Sequence, residues 1–150
     1  MIIVGVDPGK VTGLAVWWDP AVWVRPNLPA LDVAEVAESD AVVPVLRRML
    51  DGRRPDLVAI ERFVQTGRRM TFQPHAQQVV GAVRSFCLEA RVALVFQQPG
   101  PAKKLASNVL LRRIDWSNPT PNGHADDAAR HVLLVMATHH PDVFTHVTGI

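Results

Sequence analysis

Cysteine is almost missing from this 150-residue chain. Cys87 stands alone, which excludes an intramolecular disulfide and leaves no set of thiolates for a metal cluster. It falls inside an apolar helical pattern and reads as a small buried hydrophobe rather than a nucleophile. Runs of ~18 or more apolar residues are missing too, so no segment reads as a membrane-crossing helix. The opening MIIVGVDPGK has no basic region ahead of its apolar stretch. It makes a poor signal peptide, and a cytoplasmic location is expected. There is no internal repeat and no low-complexity tract. What is present is an ordinary globular composition, 48% hydrophobic and 20% charged, at a length that fits one domain, residues 1–150, with a sizeable core.

The small net charge of +2 conceals an uneven distribution. Residues 1–61 carry a balance of −3, residues 62–114 a balance of +8, and residues 115–150 again −3. The basic stretch comprises Arg62, Arg68, Arg69, Arg84, Arg91, Lys103, Lys104, Arg112 and Arg113, opposed only by Glu89. A basic middle between acidic ends suits a polyanion held beside a carboxylate site. A solvated basic face explains the same charges without a ligand.

Residues 2–7 and 13–18 read as two short apolar strands joined by a tight turn, hence an antiparallel hairpin. A weak third strand is expected near Val22–Arg25. Ser39 is a candidate N-cap for a helix ending near Asp51-Gly52, with Val42, Val43, Leu46, Met49 and Leu50 at helical spacing. Pro44 must then lie in its first turns. Residues 56–63 read as a central strand, 74–90 as an amphipathic helix and 92–96 as a buried strand. A short helix should carry Lys103 and Lys104, and a last helix should run from His124 to His139 and stop at Pro141. Hairpin strands followed by alternating units imply one mixed sheet with helices on both faces.

Three acids stand out by position. Asp7 ends the first strand, Glu61 lies near the end of the central strand, and Asp127 lies in the first turns of the last helix. Each has an ordinary explanation, such as a turn residue at Asp7 or an exposed strand end at Glu61. Together, three carboxylates meeting at one sheet edge would repel one another, and a divalent cation removes that conflict. Hard oxygen ligands suit Mg²⁺, with Mn²⁺ as a substitute. Two such ions about 4 Å apart can clamp both the attacking water and the leaving oxygen of a phosphodiester. At 100° per residue, His124, Asp127 and His131 share one helix face, while Asp126 points nearly the opposite way. Asp127 is therefore the expected ligand, and Asp126 is expected to pair with Arg130 or to complement the helix N-terminus. His124 could ligate the metal or contact phosphate, or could simply cap the helix. His131 reads more readily as a packed polar residue.

Four pieces of sequence, GVDPGKVTGLAVW, AIERF, QQVVGAVRS and GHADDAARHVLL, occur in the order seen in one family. The chain resembles the RuvC-type Holliday junction resolvases of the ribonuclease H and retroviral integrase superfamily. Asp7, Gly9 and Gly13 match the first strand and its turn, Glu61 the second acid, Gly81 the long helix, and His124 and Asp127 the final helix. Bacterial members often carry two acids at those last two positions, so His124 is a departure. The resemblance implies a ribonuclease H-like α/β fold with a five-stranded sheet, the first three strands antiparallel and the rest parallel. It implies a homodimeric, structure-selective endonuclease that hydrolyses four-way DNA junctions with two Mg²⁺ ions per site, and no small-molecule cofactor or membrane. Asp7, Glu61, Asp127 and His124 would be catalytic and metal-binding. Lys103 and Lys104 would lie near the cleaved phosphate, Arg62, Arg68 and Arg69 would approach the junction, and Phe63 or Phe72 would stack on an unpaired base. The segment from Asp19 to Ser39 matches nothing in the family. Nucleases acting on forks, flaps or RNA–DNA hybrids share this chemistry. A non-catalytic DNA-binding module and an actin-like ATPase domain share parts of the pattern, though the latter needs a second phosphate loop that is not seen.

Overall fold

The computed structural model describes residues 1–20, 30–62, 73–118, 120 and 122–150. Strand β1 (Ile2–Asp7) is apolar and buried along almost its whole length. Its place explains why: it is the middle strand of a five-stranded sheet and is covered on both faces. Strand β2 (Thr12–Trp18) pairs with it antiparallel through the short turn expected from Pro8-Gly9. Strand β3 (Leu31–Val36) adds to β2, again antiparallel. Strands β4 (Leu57–Glu61) and β5 (Ala93–Gln97) extend the other side in parallel. The order across the sheet is β3-β2-β1-β4-β5, which is the expected mixed sheet.

Helices α1 (Val42–Met49) and α2 (Pro74–Ala90) cover one face. They enclose Val4, Val6, Leu14, Val16, Val58 and Ile60 with Leu46, Val79, Val83 and Cys87. Cys87 is a core thiol, and burial pushes its pKa up to about 11. Helix α5 (His124–His139) covers the opposite face with α3 (Pro99–Leu105), α4 (Asn108–Arg113) and α6 (Pro141–Thr148). This second core holds Ile3, Ala15, Trp17, Ala59, Leu111, Val132 and Met136. No described helix is long and apolar enough to cross a membrane.

The strand expected at Val22–Arg25 lies outside the described residues, and the third strand that is described runs from Leu31 to Val36. Ser39 does not cap α1. It opens a 3-10 turn, Ser39–Ala41, and its hydroxyl donates instead to Gln78 Oε1 at 2.8 Å. Helix α5 ends at His139, just before Pro141, as expected. Pro141 then takes the first position of α6, where a missing N–H costs nothing. Ser107 starts α4, its hydroxyl oxygen accepting from the Leu110 amide.

Candidate active site

One row of residues crosses the sheet from edge to edge. Glu35 in β3 pairs with Gly13 in β2, and Gly13 with Asp7 in β1. Asp7 and Glu61 directly follow the paired Val6 and Ile60, and Glu61 pairs with Gln97 in β5. The first half of α5 lies over this row. It comes so close because two strand positions have no side chain. A Cβ on Gly13 would stand 1.9 Å from the His124 carbonyl oxygen, and one on Gly5 would stand 2.1 Å from that of Ala128, one turn on.

Each acid of the row engages α5. Glu35 receives its N-terminus: Oε1 accepts from the amides of His124 at 2.9 Å and Ala125 at 3.3 Å and from the Thr120 hydroxyl at 2.7 Å, and Oε2 from Asn122 at 3.1 Å. Partial desolvation works against the Glu35 anion, but these bonds together outweigh it and hold the carboxyl below the usual range. A group whose folded pKa is depressed adds stability above its unfolded pKa and loses it as pH falls through the folded value. Glu35→Gln should therefore cost about 1–2 kcal/mol at neutral pH, as lost helix caps do, and the cost should shrink in acid. Urea unfolding at pH 7 and pH 3 reads this, and an equal cost at both would refute it.

Asp7 is buried, and its Oδ2 lies 2.6 Å from His124 Nδ1. Burial raises its pKa, the His124 hydrogen bond opposes that, and the charges of Glu61 and Asp127 add to the rise, leaving it at about 6. Glu61 Oε2 lies 3.2 Å from His131 Nε2. Asp127 is bracketed by two cations: Lys103 Nζ is 2.9 Å from Oδ2 and Arg130 is 2.5 Å from Oδ1. The Asp127 carboxylate holds the Lys103 ammonium above its ordinary pKa. Arg130 is buried and also reaches the Ala106 carbonyl at 2.9 Å and the Asn108 side chain. The expected Asp126–Arg130 pair is therefore not formed. Arg130 is committed to Asp127, and Asp126 instead accepts from the Asn118 amide at 2.8 Å.

Asp7, Glu61, His124, Asp127 and Lys103 line one cleft of about 520 Å³. Lys10 and His75 also line it, and neither was singled out in the sequence. Nothing local marks them: Lys10 is an exposed turn residue and His75 an exposed residue in the first turn of α2. Glu35 and Gln97 were missed as well, because a polar residue on an edge strand looks solvent-facing until its ladder partner is known. Lys104 and Arg62 are exposed and do not line the cleft. Phe63, Arg68, Arg69 and Phe72 lie outside the described residues. Among the described residues, no three His, Cys, Asp or Glu side chains are drawn tightly enough together to hold one ion, since each carboxylate engages its own imidazole or cation. In donor chemistry they nonetheless fit a hard divalent cation: three carboxylates line one cleft, and the most buried of them is disfavoured as an anion by its burial and by the charges of the other two.

Sheet order, strand directions and the two helical layers define a ribonuclease H-like fold, with acids gathered where β1, β4 and α5 meet. Among solved structures the chain is similar to Thermus thermophilus RuvC in complex with a Holliday junction substrate, with TM-score 0.66, 18% identity, and 93% of this chain and 96% of that one covered. It is similar to a second T. thermophilus RuvC structure, with TM-score 0.62, 20% identity, and 92% and 96% covered. It is also similar to the fowlpox virus resolvase in complex with Holliday junction DNA, with TM-score 0.56, 15% identity, and 91% and 99% covered. No family model matches the chain, and no curated protein matches it in sequence. The chain thus has the fold of the RuvC-type resolvases, as its motifs led one to expect.

Proposed function

We propose that this chain is a metal-dependent DNA endonuclease that cuts four-way junctions. The observation that carries the reading is the shared cleft of Asp7, Glu61 and Asp127, set in a fold whose T. thermophilus and fowlpox examples were solved with Holliday junctions. Asp7, Glu61 and Asp127 are the oxygen donors that would hold a pair of Mg²⁺ or Mn²⁺ ions, with His124 beside Asp7. Such ions, when bound, polarise the phosphodiester and lower the pKa of the attacking water. The chain's own residues do the rest. His124 orients Asp7 through Nδ1, and Arg130 fixes Asp127 from the buried side. Lys103, more than half exposed at the side chain, is free to turn its ammonium toward a phosphate oxygen and offset charge developing there. Lys104 and Arg62 extend the positive surface for flanking backbone phosphates. Symmetric paired nicks need two such centres, so two copies act on one junction, and the whole of residues 1–150 forms the nuclease unit.

Incubating the chain with a labelled synthetic junction and millimolar Mg²⁺ or Mn²⁺ should give paired, symmetric nicks. Forks, flaps and RNA–DNA hybrids belong in the same panel. Preferential cutting of one of these would reassign the substrate. No cutting of any of them, with DNA affinity indifferent to Mg²⁺, would leave a DNA-binding module in place of the enzyme.

A further inference from the structure

Asp7 meets His124 and Asp127 meets Lys103 at the cleft, but His131, which meets Glu61, sits behind it. His131 is 1% exposed. Its Nε2 is 3.2 Å from Glu61 Oε2 and its Nδ1 is 2.8 Å from Gln97 Oε1. Gln97 is itself buried and is the ladder neighbour of Glu61. Arg130 apart, the residues around His131 on the buried side of α5 are apolar, among them Ala128, Ala129, Val132, Val135 and Met136, so packing alone does not call for a histidine. A polar ring in such surroundings is costly unless its nitrogens are satisfied, and here both are.

The arrangement has a direction. A carboxylate only accepts, so Nε2 carries the proton that faces Glu61. At Nδ1 the ring meets the Gln97 amide, which offers its acceptor oxygen as placed and its donor NH₂ after a half-turn. Gln97 thus braces the ring at Nδ1, the ring's Nε2–H holds one oxygen of Glu61, and the other oxygen is left for the cleft that Glu61 lines. All three groups sit on different elements (β5, α5 and β4), so the orientation is set by the packed fold rather than by a loop.

We propose that His131, braced by Gln97, is a positioning residue that holds the Glu61 carboxylate in the orientation in which it receives a metal ion. This rests on the reading of the cleft as a metal-dependent nuclease centre. Partners of this kind behind a ligating side chain typically contribute 10- to 100-fold in metal affinity.

The test is calorimetric titration of Mn²⁺ into the full chain, alongside melting temperature and junction affinity measured without metal. His131→Leu should fold, bind junctions as the wild type does, and bind Mn²⁺ about 10- to 100-fold more weakly. His131→Gln, which puts an amide N–H where Nε2–H stood, should recover most of that affinity. Gln97→Leu keeps the histidine, removes its brace, and should weaken Mn²⁺ binding by a smaller factor; it carries the test if His131→Leu does not fold. Wild-type Mn²⁺ affinity in His131→Leu and Gln97→Leu, with Glu61→Gln binding weakly, would overturn the positioning role and leave the nuclease reading intact. So would a His131→Gln variant no better than His131→Leu. If the wild type binds no Mn²⁺ and Glu61→Gln changes nothing, the metal centre itself is refuted and the positioning role falls with it.

Discussion

Asp7→Asn is expected to abolish junction cleavage while raising the melting temperature at pH 8. The two effects have one cause. Asp7 ionises in the folded chain near pH 6 rather than at its ordinary 3.8, chiefly because it is buried. Its folded pKa is raised, so the folded state keeps a proton the unfolded chain has lost. Stability therefore falls as pH rises from about 4 to about 6. Above that, the ionised carboxylate weakens the fold by up to about 3 kcal/mol, each pKa unit being about 1.4 kcal/mol. Asn removes the charge but gives up a charge-assisted bond to His124, so the net gain should be roughly 3–6 °C for a chain of this size. The same charge is what a divalent ion would need, and its loss should slow cleavage by about 10³-fold or more, equivalent to ~4 kcal/mol at the transition state. Mg²⁺ should correspondingly stabilise the wild type at pH 8 and Asp7→Asn much less. Thermal melts from pH 4 to pH 8, with and without Mg²⁺, decide the matter. A variant that melts below the wild type at pH 8 would show that the buried carboxylate is no burden to the fold.

Among the described glycines, Gly13→Ala should be the most damaging replacement by alanine. Its methyl group would meet the His124 carbonyl oxygen at 1.9 Å and carbon at 2.3 Å. These are backbone atoms that cannot swing away, so α5 must lift from the sheet. Lifting it breaks the Glu35 cap and the Asp7–His124 bond together. A loss of more than about 4 kcal/mol is expected, at the extreme of point substitutions, and cleavage should be lost with it. Gly81→Ala is the control. Its Cβ would meet nothing within 4 Å, and an exposed helical glycine replaced by alanine should gain roughly 0.5–1 kcal/mol. Both values come from urea unfolding. Equal stabilities for the two variants would mean that α5 does not need its close seat on β2.

The contrast between these glycines also shows what a sequence reveals and what it withholds. Both belong to motifs seen in the sequence, but only the sheet shows that Gly13 lies under a helix and that Gly81 faces open space. The central strands were readable because burial on both faces writes an unbroken apolar run, as in residues 2–7. Helix α2 was readable to its ends, with Pro74 at its start and an apolar side at helical spacing. Strand β3 was not, because an edge strand carrying Asp32 and Glu35 has no such run and owes its place to pairing with β2. In the site, helical geometry placed His124, Asp127 and His131 on one side of α5, which is where they lie. Which partner each would take depended on residues far away in sequence. Asp126 and Arg130 are spaced as a helical ion pair, yet Arg130 is buried and turned to Asp127 because Ala106 and Asn108 draw it there. Gln97 carried no local signal, since only its register with Glu61 gives it meaning.

That guanidinium has a mechanical consequence. Its three acceptors belong to the acid on α5, the residue that closes α3 and the residue that opens α4. In the proposed nuclease, a DNA strand leaning on α3 would therefore pull on Asp127 without touching it, and the helix bearing Lys103 and the acid opposite it would shift as one piece under load. Slack at that rivet would let the substrate settle while the acid lagged behind.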